Sequence, residues 1–408
     1  MTTTTLPPAR TGAPAVSRKR LSHPAAFAAI AAIFVTFTAA SSAPSPLYVV
    51  YQQLWGFSAS TLTVIFAVYV VGLIGALLVL GALSDHVGRR PVLAAAIGLE
   101  IVALVLFLAA GDVTVLLVAR FLQGIATGAA LTTLGAALVD LNPPHAPGRA
   151  GLVNSVVPPA GLAIGSLGTG ALVQFAPGPT HFVYALLLAG MAGAALVVLL
   201  MPETSGRRPG GGASLVPRLG VPARLRGAVF ALVPIIVASW ALGGLYLSLG
   251  PSVAAGVFGL SNHLIGGLVV TLLCGTGAVA AFALRSRPAP RVLAIAGVLL
   301  TVGTAVTLAG VQTGSVLLGA AGTVLAGIGF GASALASFGT IAVLAAPHER
   351  GELIAVALTI AYVAFSLPAV IAGLAATAVG LHATALVYGL VVVALGAAAL
   401  IAQRLRRA

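Results

Sequence analysis

Gly81-Ala82-Leu83-Ser84-Asp85-His86-Val87-Gly88-Arg89-Arg90-Pro91-Val92 lies between two long apolar runs. Those runs are long enough to cross a bilayer. A connection this short makes them a hairpin with both ends on one side of the membrane. It also places one acid beside two arginines, in a chain with few acids. Gly81 and Gly88 permit close approach and a sharp turn, and Pro91 suits the first turn of the following helix.

The stretch resembles motif A of the major facilitator superfamily, G-x-L-x-D-x-x-G-R-R, through Gly81, Leu83, Asp85, Gly88, Arg89 and Arg90. In that family the motif joins the second and third of twelve membrane helices, its position in this chain. The resemblance implies an all-α integral membrane protein, with twelve transmembrane helices in two six-helix bundles and alternating access between them. It also implies a gating role for Gly81, Asp85, Gly88, Arg89 and Arg90. The acid would bind across to the start of span eleven and close the cytoplasmic side. The alternative is a solvated basic loop that only sets topology.

Composition agrees with a membrane class. Of 408 residues, 60% are hydrophobic and 7% charged, whereas soluble domains carry about 25% charged residues. Twelve spans of about 20 residues use about 240 positions and leave short loops. The net charge of +13 would suit a nucleic-acid partner, but its distribution argues against one. Of the 20 Lys and Arg, all but Arg120 fall on the tail, the C-terminus and alternate loops, hence on one side. The positive-inside rule makes that side the cytoplasm. We therefore expect a multi-pass plasma-membrane (cell inner membrane) protein, monomeric and embedded in lipid, with both termini cytoplasmic. The single cysteine, Cys274, excludes an internal disulfide. Residues 1–20 read as a polar tail without a cleavable signal.

Hydropathy places spans at about 24–43, 59–82, 91–110, 113–139, 151–174, 181–201, 227–249, 263–284, 291–310, 315–345, 352–378 and 382–403. Span one is expected to end near Pro44 and Pro46, and span seven at Gly250-Pro251. The two halves echo each other. Trp55-Gly56-Phe57-Ser58 matches Phe258-Gly259-Leu260-Ser261 at an offset of 203, and Val92-Leu93-Ala94 matches Val292-Leu293-Ala294 at 200. Pro144-His145 with Arg149 matches Pro347-His348 with Arg350. This gives a disordered cytoplasmic tail (1–23), an N-terminal bundle (24–201), a cytoplasmic linker (202–226) and a C-terminal bundle (227–404). Paired bundles of this kind hold substrate at their interface near mid-membrane.

Of the seven acids, only Glu100 lies deep in a span, roughly 13 Å in by helical rise. An ionisable group at that depth is costly and functional by default. Its two readings are a proton carrier and a structural acid hydrogen-bonded inside the first bundle. Arg120 lies about seven residues into span four, with Gln123 and Thr127 on the same helical face. Unpaired, it would cost ~2.5–3.5 kcal/mol on the insertion scale. The run Arg120-Phe121-Leu122-Gln123-Gly124, with Gly128, resembles motif B of the same superfamily, where the arginine is tied to proton coupling. We expect Glu100 and Arg120 to pair. The alternative for Arg120 is snorkelling to the outer surface.

Span five carries Gly161, Gly165, Gly168 and Gly170 after Pro158-Pro159, resembling motif C of drug antiporters. The pattern departs at Gly165-Ser166, where a Gly-Pro pair is expected, and at Thr169. The same spacing of small residues serves helix packing. Substrate-cavity candidates come from the first helix of each three-helix unit: Thr38 and Ser41; Gln123 and Thr127; Trp240 and Tyr246; Phe330, Ser333 and Ser337. Tyr362 of span eleven joins them. Uncharged aromatic and hydroxyl groups suit an apolar or weakly polar small molecule.

There is no Walker loop, no HExxH, no GxSxG and no clustered metal ligands. We expect no enzyme activity and no cofactor, with the proton gradient as energy source. The favoured reading is proton-coupled efflux of small, largely apolar compounds. The altered motif C keeps an importer of a neutral metabolite open, and a non-transporting scaffold or sensor is the reading from another class.

Overall fold

The computed structural model describes residues 21–146, 148–206, 211–216, 220–260, 262–346 and 349–405. The tail 1–20 and parts of the 202–226 linker lie outside these. The described residues are helical, without strands. The first half comprises α1 (His23–Ser42), α2 (Pro44–Trp55), α3 (Ala59–Leu80), the short α4 (Leu83–Val87), α5 (Arg89–Leu108), α6 (Val113–Asp140), α7 (Arg149–Phe175) and α8 (Pro179–Leu200). A single 3-10 turn, Ala213–Leu215, lies in the linker. The second half comprises α9 (Ala223–Ser248), α10 (Gly250–Gly256), α11 (His263–Leu284), α12 (Ala289–Thr313), α13 (Val316–Leu344), α14 (Arg350–Val379) and α15 (Leu381–Leu405). Among the described residues, twelve helical segments are long and apolar enough to cross a membrane.

One expected boundary is corrected. The first crossing does not stop at Pro44 but runs from His23 to Trp55 as α1 and α2. Ala43 stays right-handed and its N–H reaches Ala39 O at 3.0 Å. Pro44 and Pro46 then occupy the first turn of α2, where a missing N–H costs nothing. The seventh crossing ends at Ser248, just before Gly250-Pro251. The short α10 follows it as a separate helix, with Val253 N–H donating to Leu249 O at 2.8 Å.

The ends away from the termini (the far side) are capped by side chains that repeat between the halves. Ser58 accepts from Thr61 N–H at the start of α3, and Asn262 accepts from Leu264 N–H at the equivalent start of α11. Asp112 accepts from Thr114 and Val115 N–H at α6, and Ser315 from Leu318 N–H at α13. These caps satisfy orphan amides where lipid meets water. Left-handed Gly178 and Gly380 turn the chain into α8 and α15.

In the first half α6 packs on α3, α5 and α1, α7 on α1, and α8 on α5. In the second, α13 packs on α12, α11 and α9, while α15 packs on α12 and α9. Helix association in lipid relies on close backbone approach rather than hydrophobic expulsion. Gly124 and Gly128 of α6 accordingly lie against the Tyr69 and Leu73 backbone of α3. Large apolar side chains such as Val71, Phe230, Val279 and Leu317 remain exposed on the lipid face.

The halves meet through α7 on α11 and α3 on α14. The joining contacts lie toward the far side: Gly170 backs onto Gly267, and Thr271 Oγ1 donates to Ala163 O at 3.0 Å. His263 N–H reaches Gln174 Oε1 at 3.1 Å, and Ser60 N–H reaches Thr377 Oγ1 at 3.2 Å. A Cβ on Gly267 would strike Ser166 O. Gly267→Val should therefore force α7 and α11 apart, costing about 1–3 kcal/mol of overpacking in this state. A pair of spin labels across the far side should report a wider separation in the variant than in the parent.

Candidate functional site

The motif-A stretch folds back on its own half. Gly88 adopts φ of 105°, a left-handed conformation that opens α5 at Arg89. A Cβ there would run into the Glu203 carboxylate, so glycine is needed for both reasons. Glu203 accepts from Arg89 N–H at 2.7 Å and Arg90 N–H at 3.2 Å, closing the helix start with a negative charge where the dipole favours one. The Arg89 side chain is 9% exposed. It donates to Ser84 Oγ at 2.6 Å and pairs with Asp85 Oδ1 at 2.6 Å and Asp140 Oδ2 at 3.0 Å. Arg90 caps the end of α8, donating to Val198 O at 3.0 Å and Leu199 O at 2.7 Å. Gly81 is right-handed and faces Thr132 of α6.

Four segments (α4, α5, the end of α6 and the start of the linker) thus share one charged knot. Among the described residues Asp85 forms no ion pair with the start of α14 in this conformation. In this conformation Arg89 holds the carboxylate instead. The sequence reading left Glu203 and Asp140 without a role, because only the fold brings them to Arg89. At the start of α14, Glu349 pairs with Arg224 from the base of α9, within the second half.

Deeper in the first half, Glu100 and Arg120 come to one height on antiparallel α5 and α6, both fully buried. They do not form the direct pair expected. Gln123 stands between them, its Oε1 accepting from Arg120 Nη1 at 2.7 Å and its Nε2 donating to Glu100 Oε1 at 3.0 Å. Gln123 Nε2 also reaches Ala40 O at 3.2 Å. Arg120 completes its fork with Ser41 O at 3.1 Å and the Tyr48 hydroxyl, which both Nε and Nη2 contact. The rings of Tyr48 and Tyr69 lie 5.4 and 4.9 Å from its guanidinium carbon. Arg120 does not snorkel; a planar five-donor group has found a matching set of acceptors and π faces. Glu100 Oε2 is buried without a hydrogen-bond partner among the described residues.

An aromatic cluster occupies the middle of the second half. Trp240 meets Tyr362 at 4.9 Å, Phe365 at 5.8 Å and Phe338 at 6.4 Å between ring centroids, all edge-on. Phe66 of α3 meets Phe365 at 5.1 Å, carrying the contact across the halves. Trp240, Tyr362 and Phe338 keep partial exposure. Phe66 and Phe365 lie outside the one helix in three that supplied the candidates, whereas Phe338 lies on span ten beside Ser337; the signal of all three is an aromatic residue in an otherwise aliphatic span.

Other cavity candidates are corrected. Thr38 is buried against Gly161 of α7, with its hydroxyl on Phe34 O. Phe330 packs onto Gly243 and Gly277 inside the second half. Tyr246 turns away from the partner bundle, its hydroxyl bonded to Thr323 Oγ1 at 2.7 Å. Ser333 Oγ donates to Ser239 Oγ at 2.9 Å and ties α13 to α9. Ser41 serves Arg120 through its carbonyl. Thr127 and Ser337 are buried with hydroxyls that have no partner among the described residues. Gly161 and Gly165 seat α7 on α1, and Gly170 seats it on α11. All three are packing positions.

Two like-oriented six-helix bundles, with polar and aromatic groups gathered between and inside them, are the architecture of an alternating-access membrane transporter. The chain belongs to the Major Facilitator Superfamily, whose sequence pattern matches residues 26–369. It is similar to the multidrug resistance protein MdtL of Shewanella oneidensis, 33% identical over 155 residues. That match covers 36% of this chain and 37% of MdtL, so the chain spans little more than a third of this relative's length. Among solved structures, a bacterial homolog of the human lysosomal transporter Spinster superimposes with a TM-score of 0.74 at 15% identity, covering 94% of this chain and 97% of that one. The human organic anion transporter MFSD10 (TETRAN) gives 0.69 at 18% identity, covering 93% and 100%. The nucleoside transporter NupG gives 0.70 at 12% identity, covering 92% and 99%.

Proposed function

We propose that this protein is a proton-coupled exporter of small apolar or weakly polar compounds. It would sit in the plasma membrane with the arginine-rich side, and both termini, in the cytoplasm. The observation that carries coupling is the buried relay Glu100–Gln123–Arg120–Tyr48. An acid held out of water at one end of a hydrogen-bonded chain can exchange a proton, and Gln123 can pass the change to Arg120. The uncharged surface of Trp240, Tyr362 and Phe338 supports an apolar substrate. Partial similarity to MdtL favours export. The Asp85–Arg89–Asp140–Glu203 knot is the proposed gating element, with Asp85 released to the start of α14 when the cytoplasmic side closes.

Import of a neutral metabolite is the second reading, favoured by Ser166 and Thr169 standing where motif C carries other residues. Flux of a panel of apolar dyes in inside-out and right-side-out vesicles under an imposed pH gradient separates the two. Export predicts uptake into inside-out vesicles only. Trp240→Ala should weaken apparent affinity for the transported dye about tenfold, the loss expected for a well-placed aromatic contact worth about 1.4 kcal/mol. An unchanged affinity would remove this cluster from the substrate path.

A further inference from the structure

The second bundle holds a cavity of about 290 Å³ enclosed by α9, α10, α11, α12, α13 and α15. It is separate from the aromatic cluster: Tyr246 lines it, whereas Trp240, Phe338 and Tyr362 do not. Its origin is legible from the internal repeat. At the offsets of 203 and 200 that relate the halves, Tyr51 corresponds to Ala254, Phe107 to Thr307, Leu116 to Gly319 and Arg120 to Thr323. The first-half residues fill their bundle; Tyr51, Phe107, Leu116 and Arg120 are buried there. Each of these second-half counterparts is smaller, and all four line the cavity.

The walls offer little to water, because their hydroxyl protons are already committed and only acceptor lone pairs remain. Thr304, Thr307 and Thr323 each donate to a carbonyl of their own helix, Leu300 O at 2.7 Å, Gly303 O at 3.0 Å and Gly319 O at 2.8 Å. With the Thr323 proton committed, the Tyr246 hydroxyl donates to Thr323 Oγ1. A buried water needs about 2–4 polar partners, whereas an apolar cavity of roughly 150 Å³ stays dry and takes benzene. This one is about twice that size and lined otherwise by carbon. Its edge includes Val316, 45% exposed at the far-side start of α13, and Leu268, 38% exposed on α11. Exposed Leu317 and Leu318 continue the same apolar surface toward lipid. From Val316 to Thr323 the depth is about 10 Å by helical rise, within the roughly 15 Å of one hydrocarbon leaflet.

We propose that this cavity binds one hydrocarbon tail of a membrane lipid, entering from the far-side leaflet between α11 and α13. Saturated and unsaturated acyl chains share the chemistry that would be recognised, and the walls carry no charged group to receive a charged ligand. The site is distinct from the transport pathway proposed above and stands whether or not that reading holds.

The test uses the full chain in lipid nanodiscs doped with phospholipid carrying a diazirine on one acyl tail. A tail-end diazirine should label Tyr246, Thr304 or Thr307, and a diazirine near the headgroup should label Leu268 or Val316. Ala254→Tyr with Thr307→Phe, which restores the first half's residues, should reduce deep labelling at least tenfold and leave labelling of lipid-facing Val279 unchanged. The two-position comparison on the unsubstituted protein does not depend on how the filled variant folds. Deep sites without label, equal labelling from both diazirine positions, or full labelling of a folded filled variant would each overturn the proposal. Deep labelling that is displaced by hexane but not by excess unlabelled phospholipid would assign the site to free apolar solutes and overturn the lipid tail.

Discussion

Glu100→Gln should abolish the dependence of flux on a pH gradient while leaving the protein folded in the bilayer. The side chain keeps its size, and an amide oxygen can still accept from Gln123 Nε2, so the 3.0 Å contact between α5 and α6 survives. What is lost is the one proton-exchanging group in the buried relay. Gradient-driven accumulation in proteoliposomes should fall at least tenfold, the equivalent of about 1.4 kcal/mol, with downhill exchange of the same substrate retained. The structural reading makes the opposite forecast: a hydrogen-bonded acid that merely fills space is replaced by its amide at little cost, and pH-gradient response stays intact. That result would leave Glu100 as a packing residue and take the coupling argument with it.

What could be read in the sequence follows the physics of the bilayer. Hydropathy places span eight at 263–284, and α11 runs His263–Leu284, with Asn262 capping its start and basic residues after its end. A first span ending near Pro44 and Pro46 leaves Tyr48 outside it, whereas the helical segment runs on to Trp55. With the helix continued through Trp55, Ser41, Ser45 and Tyr48 fall at spacings of four and three on one face, the signal of the pocket that receives Arg120. The prolines misled because their meaning depends on position: they break a helix interior but begin a new segment at no cost. The Glu100–Arg120 height match was legible from helical rise. The intervening Gln123 was not separable from a cavity residue, because a side chain one turn from Arg120 reaches either the bundle interior or the neighbouring bundle. Tyr246 and Phe330 show the same limit. Helical spacing assigns a stripe to a face, but which neighbour that face meets is settled by glycines on other helices, here Gly243 and Gly277 under Phe330.

The charged knot at motif A yields the second large effect, and it separates stability from gating. Arg89→Ala removes the cation that holds Asp85 and Asp140, and leaves Ser84 Oγ without its donor. Asp85 and Asp140 keep 47% and 28% of their side-chain exposure, so water screens part of their repulsion. A destabilisation of about 2 kcal/mol is expected, in the range for lost hydrogen bonds to charged groups. It should appear as a lowered unfolding temperature of the detergent-purified protein. Asp85→Asn should behave differently. Arg89 retains Asp140 as counter-ion and Ser84 as acceptor, so stability stays near that of the parent. Transport should nevertheless fall about tenfold, because the carboxylate proposed to dock at the start of α14 is gone, and a charge near a helix N-terminus is worth up to about 2 kcal/mol in a partly buried setting. Measured together, the two variants discriminate the roles. If both lose stability and activity in proportion, the knot is a structural clamp; if Asp85→Asn is stable and slow, the half-exposed carboxylate is the part that changes partners during the cycle. A stable and fully active Asp85→Asn protein would confine the function of the motif to Arg89 and its hold on α6.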